Sequence, residues 1–546
     1  MRAPNIMRAQ AQSYVVASLV GLGLCASGCG LLLGLDEFTD TPPGDTGGGA
    51  GGSGGEDSAC APDASEACYA GPPATRSEGA CREGTRTCNA DGTWGACEGE
   101  VLPALERCDA ADDENCDALE CIVWATAYAQ TGDVYPMAVA SDAEGNVLVS
   151  AAFYDTITIG DSTLSSANTT DALLLKLDPA GVPVWARQFG DSSADNPWAL
   201  AVDSKGNVVL AGESIYGGID FGDGPLPPGA FIARFNPAGE HTWSKGLGGG
   251  LEGVIPAVAI DANDDVVVAG SFSGPIDFGG GPISPEGVTD IIVAKLDGAT
   301  GSVTAPGCWA RSFGGADPDN ATAVAVDRSN NIFVAGVSSG IIDFGGLFEV
   351  EKSNFVVKFT PAGAATGWVR RMTGATPVAM VDITVDASGR PVVAGHYTGE
   401  LQIGPHSLMA SGESDTFVVQ LEADSTVGWV RAFGGTGNQV AGGIAMDPFG
   451  DIVLVGHATK QLDLGDGPLA VEDRQAFVAK LTPDAGLVWS RLLGTDAVLS
   501  AVATSSAGET LVAGYTTSSH ANFGTGPLPG TGDGSMQRLV VAKLGR

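Results

Sequence analysis

Val184-Trp185-Ala186-Arg187-Gln188-Phe189-Gly190, then Ala199-Leu200-Ala201-Val202-Asp203, then Asn207-Val208-Val209-Leu210-Ala211-Gly212, then Phe231-Ile232-Ala233-Arg234-Phe235: four short apolar runs, separated by turn residues, decide the fold. Runs of this length bounded by Gly, Asn, Asp and Pro read as strands. The set recurs. Tryptophans stand at Trp124, Trp185, Trp243, Trp309, Trp368, Trp429 and Trp489, 58 to 66 residues apart, and each leads the same succession of runs. Tandem repeats of this length built from four strands imply a β-propeller, here all-β with seven blades.

Within the repeat, Asp-x-x-Gly-Asn linkers such as Asp203-Ser204-Lys205-Gly206-Asn207 are turn chemistry. The Asp side chain caps the turn, and Gly or Asn accepts a positive φ. Asp142, Asp203, Asp261, Asp327, Asp386 and Asp447 hold this place, and Ser505 holds it in the last repeat, so these carboxylates read as structural. Runs such as Phe355-Val356-Val357-Lys358-Phe359 and Phe477-Val478-Ala479-Lys480-Leu481 are nearly continuous in apolar residues and are expected between neighbouring blades, covered on both faces. The repeats enter on a tryptophan strand at Ile122 and finish on Val540-Val541-Ala542-Lys543-Leu544, the strand that elsewhere precedes a tryptophan strand. The two ends of residues 122–546 are therefore expected to complete one blade, which removes the open edges of a linear array.

These residues, Asp-x-Phe-Val-Ala-Lys-Leu, Trp, Phe-Gly-Gly, Ala-Val-Asp-x-x-Gly-Asn and Val-Ala-Gly together, resemble the bacterial SBBP β-propeller repeat family. The resemblance implies the fold and an exported location and carries no general catalytic motif. Propellers serve binding, structure and catalysis alike, so fold alone names no ligand.

The N-terminus carries Arg2 and Arg8, an apolar stretch from Tyr14 to Leu24, and Ala26-Ser27-Gly28 before Cys29. This pattern reads as a signal peptide over residues 1–28. It resembles the lipobox of bacterial lipoproteins, with Ala26 where that family prefers Leu, and it implies acylation of Cys29. Gly30 follows in place of the Asp that retains such proteins in the inner membrane, which implies the outer membrane. Residues 29–59, with glycines crowded between Gly47 and Gly55, have almost nothing to bury and are expected to act as a lipid-anchored tether spanning roughly 25 Å.

Residues 60–121 hold eight cysteines: Cys60, Cys68, Cys81, Cys88, Cys97, Cys108, Cys116 and Cys121. An even number in an exported segment reads as a disulfide framework whose pairing the sequence leaves open. Zinc fits poorly, since the segment has no His and no Cys-x-x-Cys pair. Asp109, Asp112, Asp113, Asn115 and Asp117 lie between or beside Cys108 and Cys116. This acidic, cysteine-bracketed run resembles a motif of bacterial surface proteins described as metal-binding, and its oxygen ligands would suit calcium. It stands against the alternative of a solvated acidic turn. No other cofactor is indicated.

With 27 Lys and Arg against 65 Asp and Glu, the formal charge is −38. Nucleic acid is thereby an unsuitable partner, because phosphate binding needs clustered cations. No segment after the N-terminus approaches the ~18 apolar residues of a spanning helix. Nor is there a Gly-x-Ser-x-Gly, His-Glu-x-x-His or P-loop pattern.

The most variable alignable position follows the Gly that ends the third run: Ala152, Glu213, Ser271, Val337, His396, His457 and Tyr515. Variation in a rigid frame is where function can enter, so Glu213, His396, His457 and Tyr515 form the candidate ligand face. A His pair can bind metal or serve as acid and base, or simply be solvated. Cys308, at a position held by Val or other small residues in most other repeats, reads as a small buried hydrophobe. The expected function is a binding module for protein or glycan, held to a membrane by lipid. The alternative is a lyase or hydrolase acting on an extracellular polymer, which a cluster of His, Arg, Tyr and carboxylates would favour.

Overall fold

The computed structural model describes residues 60–71, 75–77, 80–102, 122–250, 253–345, 349–374, 378–465, 467–525, 528 and 536–546. Two compact units are present. In the smaller, residues 60–70 and 83–100, the strands Ser65–Cys68 and Gly84–Thr87 pair antiparallel. The disulfides Cys60–Cys88 and Cys68–Cys97 staple it, each closing a loop worth on the order of 3–4 kcal/mol in chain entropy. Cys81 is also disulfide-bonded. Cys108, Cys116 and Cys121 lie outside the described residues, as do Cys29 and the tether.

The larger unit is a seven-bladed propeller without an α-helix among the described residues. Six blades are continuous: residues 134–189, 194–248, 254–313, 319–374, 378–433 and 439–495, numbered 1 to 6 in chain order. Blade 7 takes three strands from residues 497–544 and its outermost strand from Ile122–Ala127, which pairs with Arg538–Leu544 in the register Trp124↔Lys543 and Ala127↔Val540. The two ends of the repeat array thus close the ring as the phase of the sequence implied. Seven hydrophobic clusters follow, each drawn from two neighbouring blades, and one of them joins blade 7 to blade 1. The core is therefore a ring of interfaces between sheets that are apolar on both faces.

The turn aspartates do what their position implied and something more. Asp203 Oδ1 accepts from the amides of Lys205 and Asn207, each at 2.9 Å, and the same cap recurs at Asp261, Asp327, Asp386 and Asp447. The second oxygen meets a buried cation from the third strand of the same blade: Lys176 for Asp142 at 2.9 Å, Arg234 for Asp203, Lys295 for Asp261 and Lys480 for Asp447. Burial pushes the Asp142 carboxyl up, but Asn146 and Lys176 outweigh it and hold the group below its usual range. In blade 4 Lys358 stands 4.0 Å from Asp327, and blades 5 and 7 depart from the pattern with compensation. In blade 5, Gln420 stands in the cation's place and Arg390 pairs with Asp386 instead at 2.7 Å. In blade 7, Ser505 Oγ caps the turn while Glu509, four residues on, meets Lys543 at 2.7 Å.

The tryptophans link the blades. Each indole N–H donates to a backbone carbonyl in the next blade's outer hairpin: Trp124 to Pro179, Trp185 to Pro237, Trp243 to Gly298, Trp309 to Pro361, Trp368 to Glu422 and Trp429 to Pro483, at 3.0–3.2 Å. In blade 7 no hairpin joins the two outer strands, and the Trp489 indole N–H, facing that blade, is buried without an acceptor.

Replacing Lys176 by Met should leave the Asp142 carboxylate buried and unpaired, at a cost of about 3–5 kcal/mol. The double variant Lys176→Met/Asp142→Asn keeps the turn cap and removes the orphan charge. Thermal melting should show a marked loss for the single variant and recovery of more than half of it in the double.

Candidate functional site

Backbone geometry builds the candidate face. Every innermost strand carries a bulge near its middle, as between Asn196 and Ala199 in blade 2 and between Ala441 and Gly443 in blade 6. At the bulge the inner strand's carbonyl presses on the neighbouring strand. A Cβ at Gly212 would lie 2.0 Å from the Asn196 oxygen, and one at Gly456 would lie 2.1 Å from that of Val440. A Cβ is excluded there in blades 2 to 7, which explains the Gly that ends their third runs, while blade 1 holds Ala151 opposite Pro136 at the same place. The next residue is released from this constraint and varies freely.

That residue is His396 in blade 5, His457 in blade 6 and Tyr515 in blade 7, opposite Ala379, Val440 and Val498 of the inner strands. All three are half-buried, not the solvated side chains of a loop. A fourth residue joins them. The Arg474 guanidinium lies over the Tyr515 ring, 5.7 Å from its centroid, on the strand Pro468–Leu481 that pairs His457 with Ala476. Glu213 is not part of this group. It lies in blade 2, where its carboxylate accepts from Asn196 Nδ2 at 3.2 Å, and burial raises its pKa against that bond and one from Trp198.

The electrostatics of the group are those of a neutral pocket wall around one cation. Burial lowers the His396 imidazole to about 4. Burial, then Arg474, then His396 lower His457 to about 3. Both rings are neutral at pH 7 and can each donate from one nitrogen and accept at the other. His396 Nδ1 is buried with no hydrogen-bond partner, and so is Arg474 Nε. Burial raises the Tyr515 phenol, with Arg474 opposing and Asp133 adding to the shift. A phenol held protonated beside neutral imidazoles and a guanidinium can bind hydroxyls and anions, or pass protons between them.

Two residues here escape a reading of the sequence. Arg474 lies in the long hairpin that joins the second and third strands of blade 6, where repeat alignment is weakest. Its one signal is a cation where other repeats carry Thr170, Thr289 or Ser414. Asp382 replaces the small residue found at the same place in the other inner strands (Ala138, Ala199, Ala257, Ala323, Gly443 and Ala501). Its carboxylate accepts from the amides of Ile383 at 2.8 Å and Ile444 at 3.1 Å, tying blade 5 to blade 6. Burial drives its pKa up to about 6 against those bonds.

Other expectations resolve differently. Cys308 carries a free thiol, but it is half-buried where a buried hydrophobe was expected, because it follows the turn Ala305–Cys308 and precedes the strand Trp309–Phe313. Among the described residues no group of three or more His, Cys, Asp or Glu is arranged to hold a metal. The calcium expectation rests on Asp109, Asp112, Asp113, Asn115 and Asp117, which lie outside the described residues. A shallow groove of about 520 Å³ between blades 5 and 6, lined by residues that include Met409, Arg431, Asp463 and Pro468, contains none of the four polar residues. The chemistry of the candidate face, not this concavity, marks the site.

Comparison with known proteins accords with the fold. Residues 309–343 match the SBBP family, a beta-propeller repeat. The chain is 26% identical over 372 residues to the regulatory protein FlaEY of Caulobacter vibrioides, a match that covers 62% of this chain and 38% of that one; the chain thus spans well under half of that relative's length. Among solved structures it is similar to Sqt1 from Chaetomium thermophilum, at 12% identity, covering 79% of this chain and all of the other with a TM-score of 0.41. It is also similar to a polysaccharide lyase, the PL25 ulvanlyase, at 13% identity, covering 71% and 92% with a TM-score of 0.40.

The depressed imidazoles have a stability consequence. An unfolded His titrates near 6.5, so as pH falls from about 6.5 to 4 the unfolded chain gains protons that folded His396 and His457 refuse. Their contribution is present above pH 6.5 and is lost progressively as pH falls to 4, on the order of 3 kcal/mol for each ring. Asp195, raised to about 7 mainly by burial, works oppositely and stabilises the fold more as pH falls through that window. The informative quantity is therefore a difference: between pH 7 and 4 the melting temperature of His396→Gln/His457→Gln should fall less than that of the parent chain.

Proposed function

We propose that this chain is an exported lipoprotein, anchored through acylated Cys29, whose propeller is a binding module for a glycan. The observation that carries the reading is the single departure from repeat regularity in which three adjacent blades converge on polar side chains. His396, His457 and Tyr515 take a position that is small or apolar in most other blades, and Arg474 joins them with its Nε unpartnered among the described residues. Neutral imidazoles and a phenol suit a hydroxyl-rich ligand, because each offers both a donor and an acceptor. A protein ligand is the broader alternative, since Tyr and Arg also anchor protein interfaces; the two neutral imidazoles favour the hydroxyl-rich ligand.

An enzyme acting on an extracellular polymer is the second reading, favoured by the convergence of His, Arg and Tyr. A hydrolase of the usual glycosidic kind needs two carboxylates flanking the bond. Glu213, on blade 2, is engaged with Asn196, so a lyase is the form of this reading that the side chains allow.

The anchor and the ligand are tested separately. Cys29→Ser should move the protein from the membrane fraction to the soluble one, since acyl chains contribute about 0.8 kcal/mol per buried CH₂; retention in the membrane fraction would refute the lipid anchor. On a glycan array, the purified chain should retain a defined subset of saccharides, and His396→Ala/His457→Ala should weaken that retention while melting as a folded propeller. Turnover of a polysaccharide that disappears in the double variant would establish the lyase reading instead, and an array without retained glycans would refute the binding reading.

A further inference from the structure

Resting on the glycan-binding reading, we infer that the face on blades 5 to 7 selects an acidic sugar, with Arg474 as the residue that receives a uronate carboxylate. The inference begins with charge. The chain has 65 acidic side chains for 27 Lys and Arg, and its inward-facing cations are taken: Lys176, Arg234, Lys295, Lys480 and Lys543 each meet a carboxylate. Arg370 is likewise held, by the Ser425 carbonyl. Arg474 is half-buried, and its Nε has no hydrogen-bond partner among the described residues. The guanidinium faces the Tyr515 ring, and its charge acts on His457, which in turn neighbours His396.

An Arg desolvated in this way carries a cost that a ligand anion would relieve. The planar fork matches a carboxylate in two parallel N–H···O bonds. Near it stand uncharged groups able to meet hydroxyls: Tyr515 under the guanidinium, His457, and beside His457 the His396 ring, whose Nδ1 has no partner among the described residues. One cation with three neutral donor–acceptor groups corresponds to one uronate residue, with its single carboxylate and several hydroxyls. An acidic peptide would offer the carboxylate without the hydroxyls.

Methyl β-D-glucuronide and methyl β-D-glucoside differ only in carboxylate against hydroxymethyl, and titrating each into the full chain while following histidine ring resonances by NMR isolates the inference. N-acetyl-aspartate amide and sodium acetate serve as carboxylates without the sugar. The glucuronide should bind, shift the His396 and His457 signals, and lose about tenfold or more in affinity on Arg474→Met, with Arg474→Lys intermediate and Glu213→Gln unchanged. Thermal melting of each variant establishes that it is folded.

Equal binding of glucoside and glucuronide, with Arg474→Met silent, overturns the acidic-sugar inference and leaves the glycan reading standing. Equal binding of the aspartate amide or acetate overturns the sugar half of it. Absence of binding by every saccharide, here and on the array, overturns both readings.

Discussion

The turn carboxylate paired with a buried cation is the constraint on which the rest of the propeller depends. A blade interior is apolar on both faces, and a Lys is admitted there only because an Asp at the end of the innermost strand meets it while capping the turn to the next. One carboxylate thus fixes local backbone and cross-strand register together. The exceptions carry the argument best. Where blade 7 has Ser505 for Asp, Glu509 supplies the charge; where blade 5 has Gln420 for Lys, Arg390 turns to Asp386. A buried charge is never left alone at this place, as expected when breaking such a pair costs several kcal/mol.

With each blade fixed, the ring needs only blade-to-blade adhesion, which the apolar faces and the indole bonds provide. The indole series also shows where the ring differs from itself. The six indole bonds all end on the hairpin that joins a blade's two outer strands, and the blade assembled from the two ends of the array has no such hairpin to meet Trp489. Trp489 keeps its packing against Val453, Phe523 and the other residues of that interface, and bonds from Thr504 Oγ1 to the Met446 carbonyl and from Thr516 Oγ1 to the Thr495 carbonyl join blades 6 and 7 in place of the indole bond.

Repetition made the fold legible. The tryptophan spacing, the turn aspartates and the phase of the first and last strands each state one fact seven times or nearly so, and structure follows because every blade solves the same packing problem. The candidate face was half legible for the converse reason. His396, His457 and Tyr515 stand out against a fixed frame, and the bulge that forces glycine before them locates them in space. Arg474 sits in a hairpin between the second and third strands whose length is particular to blade 6, and Asp382 replaces a small residue in a strand that otherwise looks uniform. Neither belongs to a pattern, so only coordinates bring Arg474 beside Tyr515 or set the Asp382 carboxylate against the Ile444 amide. Glu213 shows the opposite error: equivalence in the repeat is not proximity in the ring, and two blades can share a position while facing different neighbours.

The placement of polar residues on blades 5 to 7 also has a physical logic. The residue after the bulge tolerates different sizes and polarities, since Ala152, Glu213, Ser271 and Val337 serve there as well as His or Tyr. Substitution at that place leaves the blade's ion pair and its indole bond untouched. Three adjacent blades can therefore acquire polar groups one at a time without loss of the ring, provided each imidazole stays uncharged within the wall. Arg474 reinforces that condition, because its charge disfavours a second cation at His457. The result is one permanent positive charge among neutral hydrogen-bonding groups on a strongly acidic protein. Such a local exception to the global field decides what chemistry that face can accept.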